Sequence, residues 1–255
     1  MRSSTPAIRR MQGFSLLEVA VVIGVLGLLT MVLTSAFENV QQIRTRKAAI
    51  ADAEGARNAV RAFALRNKRL PCPDSSLHGD SGREAGGGTC PAGLDVGWLP
   101  YESLGLAVPA RAKRLRYGVN RGTALQDPAN PTPAATDGLD LEGTGGFVAA
   151  LVAVAATPAG PGAPFYVTQS ATAPAINCSG GDLVNPAFVL VAPGQDMEVV
   201  SGELHPGFDS PNRGFATASG RCVASPGRPA MATYDDFVIA EGANTLLGWL
   251  KASTR

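Results

Sequence analysis

Histidine, aromatic residues and net charge are all scarce in this chain of 255 residues. It has two histidines, His78 and His205, and 6% aromatic residues. Its 22 basic residues nearly balance its 21 acidic ones, for a formal net charge of +1. A neutral total excludes a globally basic nucleic-acid-binding protein and a long acidic tail. Two histidines leave few candidates for a general base or a zinc ligand set. With 45% hydrophobic residues, the chain is not mainly disordered either.

The near-zero total conceals an uneven distribution of charge. Residues 1–68 contain ten basic and four acidic residues, which gives a net charge of +6. Residues 69–255 contain 12 basic and 17 acidic residues, which gives a net charge of −5. We therefore expect the two ends of the molecule to lie in different electrostatic surroundings.

A long apolar stretch covers residues 14–34. Its 21 residues include a single charge, Glu18. As a helix it would extend roughly 30 Å, which matches the hydrocarbon core of a bilayer. The preceding leader contains Arg2, Arg9 and Arg10 and no acid, so the positive-inside rule keeps it in the cytoplasm and exports the rest. The alternative is a buried core helix, but such a helix is rarely apolar on all faces for about six turns.

Glu18 requires an explanation in such a helix. A carboxylate at that depth costs on the order of several kcal/mol unless it is paired or faces protein. Cleavage between Gly13 and Phe14 would create an α-amine one helical turn from Glu18, on the same side of the helix. Cleavage would thus create a partner for this carboxylate.

The segment Gly13-Phe14-Ser15-Leu16-Leu17-Glu18, between a short basic leader and an unbroken apolar run, resembles the prepilin signal of type IV pilins and type II secretion pseudopilins. The resemblance implies that a prepilin peptidase cuts after Gly13. It also implies that Phe14 becomes the N-methylated N-terminus of the mature chain. Glu18 would then set the register between subunits.

The resemblance also implies partners and a location. The partners are the prepilin peptidase, other pilin or pseudopilin subunits, an inner-membrane assembly platform and membrane lipid. The chain would cross the inner membrane once, with a cytoplasmic N-terminus and a periplasmic head. It would then move into a filament that reaches the cell surface.

The helical pattern continues beyond the apolar stretch. Apolar residues recur near helical periods among basic ones until Pro71, which disfavours helix in the residue before it. We therefore predict a cleaved leader at 1–13, a transmembrane half of one helix at 14–34, an amphipathic half at 35–69 and a head at 70–255.

The head begins with a pattern of its own. The segment from Leu70 to Leu106, with LPCP, a second cysteine and then GWLPYESLGL, resembles the start of the heads of some prepilin-like proteins. Farther on, residues 114–120 alternate polar and apolar side chains, as a half-buried strand does. Further short segments favour strands or helices, namely 147–156, 165–168, 188–192, 236–240 and 244–252. The predicted fold class is α+β, with a pilin-like long helix packed on an antiparallel sheet.

All four cysteines follow the apolar stretch: Cys72, Cys90, Cys178 and Cys222. An even number in an exported domain indicates disulfides. Three pairings are open, and proximity along the chain favours Cys72 with Cys90 and Cys178 with Cys222. The alternative is a zinc site. The absence of a CxxC pair and the scarcity of histidine argue against it.

Two acidic segments could hold a hard cation such as calcium, Asp137–Glu142 and the pair Asp235-Asp236. Neither has the spacing of an EF-hand loop, and acidic residues in solvated turns are the simpler explanation of both. No other cofactor or metal is predicted.

One basic cluster stands out in the acidic head, Arg111, Lys113, Arg114 and Arg116, with Arg121 nearby. It could contact a polyanion such as DNA, or an acidic neighbouring subunit. The alternative is a strand with arginines on its solvent face.

The sequence thus predicts a structural subunit, a minor pilin or pseudopilin, and not an enzyme. The segment Gly79-Asp80-Ser81-Gly82 matches a serine-protease loop superficially, but the chain offers few histidines as a base, and a turn is the simpler interpretation. The alternative function is that of a membrane-anchored binding protein whose head takes DNA or a surface ligand.

Overall fold

This computed structural model of the protein describes residues 16–123, 126–132, 145–168, 178–179, 181–216, 220–231 and 233–253, without the side chains of residues 32–42. The predicted processing residues Gly13 and Phe14 lie outside the described residues. The acidic segment Asp137–Glu142 does so as well.

The longest element is helix α1, Leu16–Asn67, with 52 residues. It ends where Lys68 adopts a positive φ of 50°, three residues before Pro71. Two shorter helices follow, α2 at Gly146–Ala156 and α3 at Ala243–Ser253. The chain divides into two compact units between Arg44 and Thr45.

The first unit contains the N-terminal part of α1. Every side chain from Leu16 to Met31 is exposed, and eleven of them are large and apolar. Leu16 is the extreme, with 91% of its surface accessible. Among the residues described, no helix combines the length and the apolar character needed to cross a membrane.

The second unit, residues 45–255, contains the rest of α1 and nine strands. The strands are β1 Val96–Trp98, β2 Arg116–Val119, β3 Phe165–Val167, β4 Leu183–Val184, β5 Phe188–Ala192, β6 Met197–Val200, β7 Glu203–Pro206, β8 Cys222–Val223 and β9 Phe237–Glu241. The main sheet is antiparallel, in the order β1-β2-β5-β9. A small sheet has the order β4-β3-β8, with a parallel pair β3–β8, and β6 and β7 form a hairpin. The α+β class is therefore confirmed.

Helices cover one face of the main sheet. Tyr117, Leu190 and Ile239 lie opposite one another on neighbouring strands and so share this face. They are buried in one cluster with residues of all three helices, among them Val60, Phe63, Leu151 and Leu246. The antiparallel sheet thus packs on the C-terminal part of α1.

A second apolar layer covers the other face of the sheet. Trp98, Arg116, Val191 and Val238 lie opposite one another there. The layer includes loop residues that follow β7 and precede β9, namely Phe208, Phe215 and Tyr234. The strand predicted within residues 114–120 is confirmed as β2, which is shorter. The prediction that it is half-buried was wrong, because these loops pack over its second face.

Gly118 sits where this layer is tightest. A Cβ atom there would overlap Cζ of Phe215, which is fully buried. We expect Gly118→Ala to lower the free energy of unfolding by about 1–3 kcal/mol, because neither ring nor strand can move away easily.

The matched control is Gly248→Ala in α3, where an added Cβ meets no atom within 4 Å. This change should raise the unfolding free energy by about 0.5–1 kcal/mol through helix propensity. Urea denaturation followed by circular dichroism measures both. Equal effects of the two changes would contradict the packing described for Gly118.

Candidate functional site

Both disulfides of the chain lie in the head. Cys72 is bonded to Cys90, with 5.3 Å between the Cα atoms, and Cys178 is bonded to Cys222, with 6.1 Å. These are the pairs that proximity along the chain favoured. The first disulfide connects the chain just beyond α1 to the segment before β1, and the second connects β8 to the segment before β4. The sulfur atoms are thus used in cross-links rather than in a zinc site.

The predicted basic cluster does not form one open surface. Arg111 donates to both oxygens of Asp80 at 2.9 and 2.7 Å, and Arg114 donates to the same carboxylate at 2.5 Å. Arg111 also forms an ion pair with Glu203. The two guanidinium groups hold the pKa of Asp80 at about 2. Of the four residues predicted to contact a polyanion, only Lys113 is fully exposed.

Contact of this cluster with a polyanion stays a prediction, whereas the alternative of a strand with arginines on its solvent face needs correction. Arg111 and Arg114 are neutralised by acidic neighbours from distant segments, which sequence spacing did not reveal. Arg121 is likewise paired, with Asp127. Arg116 is on the strand but not on a solvent face, because the second apolar layer covers it.

Arg116 lies in apolar surroundings without a counter-charge. Its guanidinium carbon is 3.7 Å from the ring centroid of Trp98 and 5.7 Å from that of Phe208. Its Nε atom is buried and has no hydrogen-bond partner. Burial alone lowers the pKa of the guanidinium to about 10, so that Arg116 still carries its positive charge at neutral pH. Among the described residues, no carboxylate forms an ion pair with it.

A pocket of about 390 Å³ opens beside Arg116 and Trp98. Its wall includes the small residues Ser75, Ser76, Ala92, Gly93, Gly97 and Ala216. The one acidic residue among those that line it is Asp74. Its carboxylate accepts hydrogen bonds from the amides of Ser76 and Gly82, each at 2.8 Å. Asp74 is therefore engaged with backbone and does not neutralise Arg116.

A second charged group lies near the start of β9. Carboxylate oxygens of Asp196, Asp209 and Asp235 all lie within 4.8 Å of one another. Such a set supplies oxygen ligands of the type that calcium prefers. Asp235 was one of the residues considered for calcium from the sequence, whereas Asp196 and Asp209 come from segments too distant for spacing to reveal. Calcium binding stays a prediction.

Asp236 has a different role from its neighbour. Its side chain is 2% exposed and accepts hydrogen bonds from Asn212 Nδ2 and the Asp209 amide, both at 2.9 Å, and from the Gly194 amide at 3.2 Å. These donors come from two loops, one at Gly194 and one at residues 209–212, and they join both loops to the start of β9. Burial raises the pKa of Asp236 to about 7.

The two histidines meet although 127 positions separate them. The ring centroids of His78 and His205 are 4.2 Å apart. Burial, His78 and Arg111 lower the pKa of His205. Ser81 lies in the turn predicted for it, with its amide donating to Oγ of Ser76.

In comparisons with known protein families, characterised proteins and solved structures, nothing matches this chain. The function must therefore be argued from its own residues.

The raised pKa of Asp236 predicts a pH dependence of stability. The carboxyl titrates near pH 4 in an unfolded chain and near pH 7 in the folded protein. Between these values the folded protein binds the extra proton, so the stability that Asp236 contributes is complete below about pH 4 and is lost as the pH rises to about 7. We expect wild-type protein to lose stability over this range relative to Asp236→Asn.

Urea denaturation at several pH values measures the difference between the two proteins. Asp182→Asn, at an exposed carboxylate, controls for the loss of a surface charge. If the difference between wild type and Asp236→Asn did not change with pH, the raised pKa would be wrong.

Proposed function

We propose that this protein is a structural subunit of the pilin type, a minor pilin or pseudopilin of a type IV pilus or type II secretion filament. It is cut after Gly13 and assembles through its N-terminal helix. The membrane and later the neighbouring helices of the filament cover the apolar part of α1.

The observation that carries this proposal is the exposed apolar surface of α1. Eleven large apolar side chains between Leu16 and Met31 are exposed on all sides of the helix. A surface of this kind is unfavourable in water and marks a site of contact with lipid or protein. Glu18 is the one charge in this stretch. The prepilin-like sequence around Glu18 supplies the reason for both features.

The C-terminal part of α1 supports the same proposal. Its buried residues Ala53, Val60 and Phe63 pack into the main core of the head. Arg61 adds two hydrogen bonds to the carboxylate of Glu241 at the end of β9, at 2.7 and 2.9 Å. Glu241 is 2% exposed, so this pair is shielded from solvent. The helix that would enter a filament is thus fixed firmly to the head at its other end.

The alternative of a DNA-binding head gains no support from the basic cluster. Arg111 and Arg114 are paired with acidic residues, and Arg116 lies in the second apolar layer. No observation favours that function over a structural one.

N-terminal processing tests the proposal directly. In a host with a prepilin peptidase, we expect the mature protein to begin at N-methylated Phe14. Intact-mass analysis and N-terminal sequencing of protein from membranes measure this, and Gly13→Ala should remain uncut. A chain that begins at Phe37, or an uncut chain that begins at Met1, would refute the pilin route.

Assembly depends on Glu18 in this proposal. We expect Glu18→Ala to enter the membrane normally but to be lost from sheared filaments by at least tenfold, because the carboxylate no longer pairs with the N-terminal amine of a subunit. The matched control is Glu54→Ala, which removes a half-exposed acid paired with Arg57 farther along α1. Normal incorporation of the Glu18 variant would contradict its role in register.

A further inference from the structure

We propose that the pocket beside Arg116 is a binding site for a small organic carboxylate. This site lies in the head and does not depend on the pilin-type function. Its ligand would meet the guanidinium of Arg116 in the pocket lining, next to the indole of Trp98.

The first argument is the uncompensated charge of Arg116. A charged group that leaves water without a partner carries a large desolvation penalty. Its Nε atom is buried without an acceptor, and no carboxylate in the described part of the chain is paired with it. The other buried or half-buried arginines nearby, Arg114 and Arg121, each have a carboxylate partner. Arg116 and Arg228 both lack a carboxylate partner among the described residues, but Arg228 donates to the Ser210 carbonyl, whereas Arg116 lines a pocket.

The second argument is the orientation imposed by stacking. With the guanidinium 3.7 Å from the centroid of the Trp98 ring, one of its faces is occupied. The guanidinium must then bind its ligand through the N–H groups at its edge. These groups can donate two parallel hydrogen bonds to a planar carboxylate. The stack also keeps the guanidinium in place before the ligand arrives, and this reduces the entropy lost on binding.

The third argument is the composition of the pocket wall. Gly93 and Gly97 have no side chains to block the approach of a ligand. Position 97 also has no room for a larger residue than glycine, because a Cβ there would come within 2.6 Å of the Asp74 carbonyl oxygen. Asp74 keeps its negative charge, but its carboxylate is bound by two amide donors and forms no ion pair with Arg116. The volume of about 390 Å³ falls in the range of small-molecule sites.

The charge of the site selects among anions. Arg116 is the one cationic residue lining the pocket. A single guanidinium balances one negative charge, as in a monocarboxylate. A phosphate dianion usually gathers several cations or a set of backbone amides, and the lining offers one cation.

Trp98 provides the reporter for a binding experiment. The chain has two tryptophans, and Trp249→Phe leaves Trp98 as the sole source of indole fluorescence. The full-length protein with this change is titrated with sodium acetate at constant ionic strength, with sodium chloride making up the balance. We expect a saturable change in Trp98 fluorescence, with a dissociation constant on the order of millimolar, as suits a ligand of four heavy atoms.

Two variants of Arg116 test its role. Arg116→Lys keeps the positive charge but loses the planar pair of donors, and Arg116→Met loses both. We expect each to weaken acetate binding at least tenfold. The matched control is Arg228→Met, which removes another buried arginine stacked on an aromatic ring, 3.8 Å from the centroid of Tyr234. Arg228 is not among the residues that line this pocket, so this variant should bind acetate as wild type does.

The melting temperature of the Arg116→Met variant distinguishes a ligand-binding role of Arg116 from a structural one. If Arg116 is kept for a ligand, replacing an unpaired buried cation by methionine should leave the melting temperature unchanged or raise it. Acetate should raise the melting temperature of wild type and not that of Arg116→Met.

Several outcomes would overturn the proposal. They are the absence of saturation with acetate, equal binding by the Arg116 variants, saturation by phosphate but not by acetate, and a lower melting temperature of Arg116→Met without ligand. The last would show that the stack on Trp98 serves the fold alone.

Discussion

Burial of the main sheet on both faces is the constraint on which the rest of the head depends. Strands β2 and β5 lie in the middle of that sheet, with helices on one side and a layer of loops on the other. Most side chains of a central strand in such a position are shielded from water, so a polar side chain there needs a partner within the protein or a ligand. Gly118 in β2 is subject to the same constraint, because the packed layer leaves no room for a side chain there.

This constraint explains why the basic residues before and within β2 differ so much. Arg111 and Arg114 lie just before the strand, where the loop at residues 77–82 brings Asp80 to them. Arg116 lies two positions farther, on the strand itself, and faces aromatic rings instead. Adjacent positions of one basic run therefore end in unlike environments, and the run does not act as one surface.

Parts of this architecture could be predicted from the sequence because their signals are local. The helical pattern up to Pro71, the helical character of residues 244–252 and the spacing of the cysteines need no knowledge of distant segments. The second apolar layer could not be predicted, since Phe208, Phe215 and Tyr234 lie in loops without a period of two or of 3.6 residues. The group of Asp196, Asp209 and Asp235 and the contact of the two histidines each bring together segments that are far apart in the sequence. Because the residues of each group are far apart in the sequence, no local pattern predicts their contact.

The junction between helix α1 and the sheet has a mechanical consequence. Within a few residues of the end of α1, the Tyr117 hydroxyl donates to the Pro71 carbonyl at 3.0 Å, and Cys72 is covalently bonded to Cys90. Six residues before the end of α1, Arg61 donates two hydrogen bonds to Glu241 at the end of β9. A tensile load along the helix would therefore be divided between an edge strand and a central strand of the same sheet, and no single backbone connection would carry it.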